Sequence, residues 1–294
     1  MSGRVDPERV MVFGRNRLGA ALLESLRSTL TVDSWKNVRR EPKTRVVGPD
    51  DLDFGSLDAV RTAVNEFEPT VVVITLGMEE AELSLELPNF KAGGVADAAM
   101  FIAWSASTLG ARVLFFSRSW VFDGLAGRPY TEGDLVAADG VSPLGRTLIE
   151  AERGVATAEA QALVLRADWI YDGETPGFQR LVAMARDGVT TEPIYGDWSG
   201  VPTPLSMVVY MATRALEADL SGIFHVAPAG HCTLWECAMS IYEHIDARAV
   251  PPVRNSSWDT LRVPLDGSAL AAVLDVPHEH WTEPLKRLMP EPEE

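Results

Sequence analysis

Cysteine is scarce: Cys232 and Cys237 are the only two in 294 residues. Two thiols cannot build a disulfide framework or a four-ligand zinc site, so a reducing, cytoplasmic setting is expected. They lie five apart in a segment with a helical pattern, which assigns both to core packing. Long apolar runs are also missing, and the longest stretches are too short to cross a bilayer. Residues 1–8 are polar and charged, without the apolar centre of a signal peptide. Basic residues are outnumbered, 26 Lys+Arg against 42 Asp+Glu, for a formal net charge of −16. That balance argues against nucleic-acid backbones, whose binders concentrate Lys and Arg on one face. It argues equally against docking on an anionic membrane. A small anionic ligand stays open, because a local pocket can oppose the global field. Internal repeats, a Gly-x-Ser-x-Gly elbow and a Walker A loop are absent. The five histidines, His225, His231, His244, His278 and His280, make no metal-ligand pattern, and no metal site is expected.

What the chain does contain is alternation. Its length corresponds to one large domain or one and a half, at roughly 100–200 residues per domain. The apolar run Val10-Met11-Val12-Phe13 ends at Gly14, and residues 18–30 carry leucines on one helical stripe. A second strand is expected over residues 29–35 and a helix over 57–67. Val71-Val72-Val73-Ile74 reads as a buried strand and residues 92–109 as a helix. Strands over 112–116 and 162–166 bracket a helix over 148–159. Continuous β-branched runs between helices suit a parallel sheet covered on both faces. The expected fold is α/β, a Rossmann-like doubly wound sheet over residues 1–170 with a smaller lobe over 171–294 and some chain crossing between them. In the last third, helices are expected over 206–218 and 233–245 and a short strand over 222–226.

The stretch Phe116-Ser117-Arg118-Ser119-Trp120-Val121-Phe122-Asp123-Gly124, followed by Gly127-Arg128-Pro129-Tyr130-Thr131-Glu132-Gly133-Asp134, resembles "ISTDYVFDG…APYTEDD" of the dTDP-4-dehydrorhamnose reductases. These are extended short-chain dehydrogenase/reductases that reduce a nucleotide-linked 4-keto sugar with NAD(P)H. Leu165-Arg166-Ala167-Asp168-Trp169-Ile170-Tyr171 resembles "LRTSWVYG", Gly200-Val201-Pro202-Thr203 resembles "GSPT", and Gly222-Ile223-Phe224-His225-Val226-Ala227 resembles "GIYHLAG". The pieces occur in order from about residue 9 to 290.

The resemblance implies hydride transfer assisted by a Thr or Ser, a Tyr and a Lys, the last two in a "YGxSKLxGE" helix start. Here that segment is Pro143-Leu144-Gly145-Arg146-Thr147-Leu148-Ile149-Glu150-Ala151-Glu152, which puts Leu144 at the Tyr position and Leu148 at the Lys position. Arg118 takes the Thr position, beside Ser117. Leucine has no proton to give, so acid catalysis from these positions is excluded. The substitute donors in view are Tyr130 and Tyr171.

The nucleotide loop departs too. In place of "TGxxGQLG" stands Phe13-Gly14-Arg15-Asn16-Arg17-Leu18-Gly19, one residue shorter and without the middle glycine. Gly14, Arg15, Asn16, Arg17, Leu18 and Gly19 are the candidate cofactor residues. Arg15 and Arg17 crowd a pyrophosphate yet are good anion ligands, and a solvated turn explains them equally. Lys36, Arg39 and Arg40 can pair with a 2′-phosphate or line a basic loop. No cofactor is expected to be required, with NAD(P) binding left open. Candidate catalytic residues are Ser117, Arg118, Asp168 and Tyr171. Candidate substrate-binding residues are Trp120, Trp169 and Trp198. These aromatics are expected to line one cleft at the carboxyl ends of the strands. Asp168 is either an acid or base with a raised pKa or an ion-pair partner of Arg118 or Arg166. The expected function is a divergent, redox-neutral enzyme (a cyclisation, isomerisation or elimination) acting on a small organic substrate. The alternatives are a regulatory subunit, as in the β subunit of methionine adenosyltransferase, and a sugar-nucleotide reductase with substitute residues. A homodimer is compatible with each.

Overall fold

The computed structural model of the chain describes residues 9–29, 42–78, 83, 94–136, 139, 141–159, 161–189, 191–245, 254–255 and 262–289. Its buried runs become the strands β1 (Arg9–Phe13), β2 (Lys43–Val47), β3 (Val71–Ile74), β4 (Arg112–Ser117) and β5 (Leu163–Arg166). After β5 the chain makes four two-residue strands: β6 (Ile170–Tyr171), β7 (Ile194–Tyr195), β8 (Ser199–Gly200) and β9 (Thr203–Pro204). It then returns to the main sheet as β10 (Gly222–His225), beside β5. The order is β10-β5-β4-β3-β1-β2, with every pairing parallel.

Alternation along the strands sends side chains to two helical layers. Val10, Val12, Val73, Leu114, Phe116 and Leu165 pack on α1 (Arg17–Thr29) and α6 (Leu205–Glu217), with α8 (Ser268–Leu274) closing the layer. Met11, Phe13, Val72, Ile74, Val113 and Phe115 face α2 (Leu57–Phe67), α3 (Val95–Ser107) and α4 (Pro143–Ala158). A third core lies under the smaller lobe. It gathers α5 (Pro176–Arg186), α7 (Leu234–Ile245), α9 (Thr282–Leu288) and the amino-terminal turns of α4. The short strands β11 (Cys232–Thr233) and β12 (Arg254–Asn255) pair with β8 and β7. Among the described residues no helix is long and apolar enough to cross a membrane.

Two elements differ from expectation. The second strand is Lys43–Val47; Thr29 closes α1, and residues 30–41, with Lys36, Arg39 and Arg40, lie outside the described residues. Only Val47 of β2 is fully buried, so no apolar run signals this edge strand. Helix α4 begins five residues before the expected start at Leu148. Pro143 occupies its first turn, and the Ser142 hydroxyl accepts from the Gly145 amide at 3.1 Å, a standard start signal.

Candidate functional site

The sheet order changes direction at β1, which pairs with β2 on one side and β3 on the other. Ligands of doubly wound sheets bind in the crevice outside the carboxyl ends of the strands at such a point. The Gly14–Gly19 turn sits there. Gly14 holds φ +121°, and a Cβ on it would lie 2.3 Å from Thr75 Oγ1, so only glycine fits. A Cβ on Gly19 would lie 3.1 Å from Val12 Cγ1 and 3.2 Å from the Gly14 carbonyl oxygen, a tight fit. Asn16 bridges the turn: its Nδ2 donates to the Thr75 carbonyl at 2.8 Å, and its Oδ1 accepts from the Gly19 amide at 2.9 Å. Leu18 is buried against the sheet.

Both arginines of the turn are engaged. Arg15 donates to Asp51 at 2.6 Å, and Asp51 also accepts from the Gly48 amide at 2.8 Å. Arg17 reaches across to the smaller lobe, where it pairs with Asp172 and lies 3.7 Å from Glu174. Burial pushes the Asp172 pKa up, but the Glu174 amide and the Arg17 guanidinium outweigh it and hold the carboxyl below its ordinary value. The donor groups of the turn fit an anionic dinucleotide in their chemistry. They are two guanidinium groups and a helix-start amide, each now bound to a carboxylate or amide oxygen where a phosphate oxygen would serve. A cavity of about 10 Å³, lined by Asn16, Arg17, Leu18, Met78, Ile170 and Thr175, adjoins it.

At the ends of β4 and β5, one cluster brings expected residues together. Asp168 accepts from Arg118 Nη2 at 3.1 Å, from Ser119 Oγ at 2.7 Å and from the Trp169 amide at 3.0 Å. Of the alternatives for Asp168, the geometry is that of an ion pair with Arg118, whose guanidinium lies 4.7 Å from the Trp120 ring centroid. Trp169 holds a left-handed φ of +47°, and its indole covers Gly200, where a Cβ would meet the ring at 2.7 Å. Ser119, Asp168 and Trp169 line a cavity of about 10 Å³ with Ser199, Gly200 and Thr203, the volume of about one water probe.

The other expected residues sit elsewhere. Ser117 is fully buried at the end of β4, and its hydroxyl has no hydrogen-bond partner. Tyr171 is fully buried against Phe178, ring centroids 5.5 Å apart. Its hydroxyl is likewise unpartnered, and burial together with the neighbouring Cys237 pushes its pKa far above the tyrosine range. Trp198 stacks on Tyr195 at 4.4 Å within the core. The aromatics therefore do not share one open wall, because the lobe's own core takes Tyr171 and Trp198. Leu144 and Leu148 are 5% and 0% exposed in that same core.

One buried network was not singled out from the sequence. Glu152 on α4 accepts from Arg166 Nε at 2.9 Å and Nη2 at 2.6 Å, and Arg166 Nη1 lies 3.3 Å from His225 Nε2. His225 Nδ1 is 3.0 Å from the Tyr130 carbonyl, and the Tyr130 hydroxyl donates to Asp123 at 2.7 Å. Arg166 and His225 lie within the quoted motifs, but nothing in either motif shows that their side chains meet. Tyr130, the second substitute donor in view, is thus tied to Asp123, and burial raises its pKa. Among the described residues no three His, Cys, Asp or Glu side chains are placed to hold a metal ion.

The family model described as RmlD substrate binding domain matches residues 8–293. A dTDP-4-dehydrorhamnose reductase from Sinorhizobium fredii is 27% identical over 224 residues, covering 72% of this chain and 74% of that protein. The crystal structure of a dTDP-4-dehydrorhamnose reductase from Clostridium acetobutylicum superposes with a TM-score of 0.77 at 21% identity, covering 95% of this chain and 98% of that one. That of the Bacillus anthracis dTDP-4-dehydrorhamnose reductase, in complex with NADP, gives 0.77 at 20% identity over 96% and 97% of the two chains. The expectation that no cofactor is required is corrected here: a neighbour sharing this fold almost end to end was solved with NADP bound.

Proposed function

Because the chain belongs to the RmlD substrate binding domain family, we propose that it binds a nicotinamide dinucleotide at the β1–β3 crevice but does not reduce a sugar nucleotide, and works as a nucleotide-binding, non-catalytic subunit. The observation that carries this reading is the pair of leucines: Leu144 and Leu148, at the positions the resemblance gives to the proton donor and its lysine, are packed in the lobe core and offer no titratable group. At the ends of β4 and β5, Arg118 and Asp168 are engaged with each other and with Ser119 and Trp169. Gly14, Arg15, Arg17 and the Gly19 amide are the groups that would hold the dinucleotide, whose chemistry when bound is hydride exchange.

Two measurements test the proposal. Calorimetric titration with NAD+ and NADP+ should give a dissociation constant on the order of micromolar. Nicotinamide absorbance with a dTDP-4-keto-6-deoxy sugar should stay flat. Turnover on the order of 1 per second would make the protein a reductase with substitute residues and end the reading. A partner enzyme whose activity changes on adding the protein is the positive result.

A second reading, an enzyme for a redox-neutral step, is favoured by one observation. Trp169 stores backbone strain at the cleft wall, a feature that concentrates at working sites. Conversion of a candidate metabolite without change in nicotinamide absorbance would establish it.

A further inference from the structure

Arg17 opens α1 directly after the turn that follows β1, whereas Asp172 and Glu174 belong to the smaller lobe, and the three meet across the crevice. Asp172 is not a loose surface carboxylate. Its Oδ1 accepts from the Glu174 amide at 2.9 Å and from Thr175 Oγ1 at 3.1 Å, and its own amide donates to Thr175 Oγ1 at 2.9 Å. These bonds make residues 172–175 a stiff turn between Tyr171, locked in the lobe core, and α5, which starts at Pro176. Whatever holds the Asp172 carboxylate therefore holds the start of α5.

A guanidinium binds a carboxylate and a phosphate with the same kind of donor, and the Arg17 Nη2 group that holds Asp172 and faces Glu174 cannot give the same N–H groups to a phosphate. Resting on the dinucleotide reading above, we infer that the Arg17–Asp172 pair is a latch between the lobes that a dinucleotide opens, Arg17 exchanging the Asp172 carboxylate for a pyrophosphate oxygen. The exchange is anion for anion, so the buried side of Arg17 is never left without a counter-charge. Released, the 172–175 turn and the first turn of α5 lose their tie to the sheet domain. The nucleotide is thereby read out on the surface of the smaller lobe. That surface includes an open groove of about 630 Å³ lined by Gly173, Phe178, Gln179, Val182, Leu288 and Met289, between α5 and α9.

The test uses three full-length proteins: the wild type, Asp172→Asn/Glu174→Gln, and Arg17→Gln. The Asp172→Asn change keeps the oxygen that caps the turn and loses only the charge. NADP+ and NAD+ binding is measured by calorimetry, and amide hydrogen exchange of the 172–180 segment is followed with and without saturating dinucleotide. A partly exposed ion pair competes only modestly, so the double variant should bind about threefold to tenfold more tightly than the wild type. Arg17→Gln should bind at least about tenfold more weakly, through loss of a charge-assisted phosphate contact. Exchange in the 172–180 segment should rise on binding in the wild type. In the double variant it should be high from the start and stay there. Equal or weaker binding by the double variant, or unchanged wild-type exchange at saturation, overturns the latch while leaving dinucleotide binding intact. Binding to none of the three proteins overturns the dinucleotide reading itself, and the latch with it.

Discussion

Arg118 and Asp168, fifty residues apart in sequence, meet as a buried ion pair of 3.1 Å at the ends of two neighbouring parallel strands. Their side chains are 2% and 9% exposed. Ser119 and the Trp169 amide complete the donors to the carboxylate, so the group ties the carboxyl ends of β4 and β5 together. Removing one member of such a pair strands the other charge out of water and costs about 3–5 kcal/mol. Asp168→Asn and Arg118→Met should therefore each lower the urea unfolding free energy by about that amount. The double substitution should cost clearly less than the sum. Two singles that are each within about 0.5 kcal/mol of the wild type would mean the pair is open in solution.

Leu144 and Leu148 give a second check, because they stand where the resemblance puts a tyrosine and a lysine. Both are buried in the smaller lobe's core. Truncation to Ala should cost about 2–5 kcal/mol each, as for other core leucines. Leu148→Lys should cost more than Leu148→Ala, since it adds an unpaired buried charge. Chemical denaturation read by far-UV circular dichroism settles both. Leucines that can be removed without loss of stability would place them at an open cleft.

Much of this was legible in the chain. Buried strands announce themselves, and Val71-Val72-Val73-Ile74 has one reading in either direction. The stripe Leu18, Leu22, Leu26 gives α1 the face it buries. The edge strand Lys43–Val47 was silent because exposed Lys43 and Arg45 interrupt any apolar pattern. Pairing across sequence was silent as well. Asp168 was as compatible with Arg166 as with Arg118, and only the folded contacts decide it: Arg166, at the end of β5, pairs with Glu152 and His225, whereas Asp168, beyond the strand, meets Arg118. Whether Tyr171 faces a cleft or a core depends on α5 and α7, which a local motif does not contain.

Gly145 supports a prediction about how α4 docks. A Cβ there would sit 2.3 Å from the Trp120 carbonyl oxygen, a backbone atom that cannot swing aside. The helix therefore rests directly on the 3-10 turn Ser119–Val121, next to Arg118. Gly145→Ala should destabilise by about 1–3 kcal/mol through overpacking despite the better helix propensity of alanine. Gly173→Ala, with nothing within 4 Å of the added carbon, is the control and should stay within about 0.5 kcal/mol. A thermal shift assay on the pair is sufficient, and equal melting temperatures would refute the close contact.

His225 carries the last prediction. It is fully buried, and its Nε2 faces a guanidinium donor of Arg166 while its Nδ1 faces the Tyr130 carbonyl. That network assigns a neutral ring with the proton on Nδ1 and the Nε2 lone pair accepting from Arg166. A second proton would point N–H at N–H beside a fixed positive charge. Burial first, and Arg166 second, push the histidine down to about 4. The folded state therefore binds fewer protons than the unfolded chain between about pH 6.5 and 4. The stability that comes with the neutral ring is complete above about pH 6.5 and is lost as pH falls through about 4. The shift corresponds to a loss on the order of 3 kcal/mol. Carboxylates add their own acid sensitivity, so the comparison is with His225→Gln, which keeps hydrogen-bonding groups and does not titrate. The difference in urea unfolding free energy between wild type and variant should shrink by that order from pH 7 to pH 4. A difference that is flat with pH would show that His225 titrates in the folded protein as it does in the unfolded chain, which would in turn require Arg166 to turn away from it.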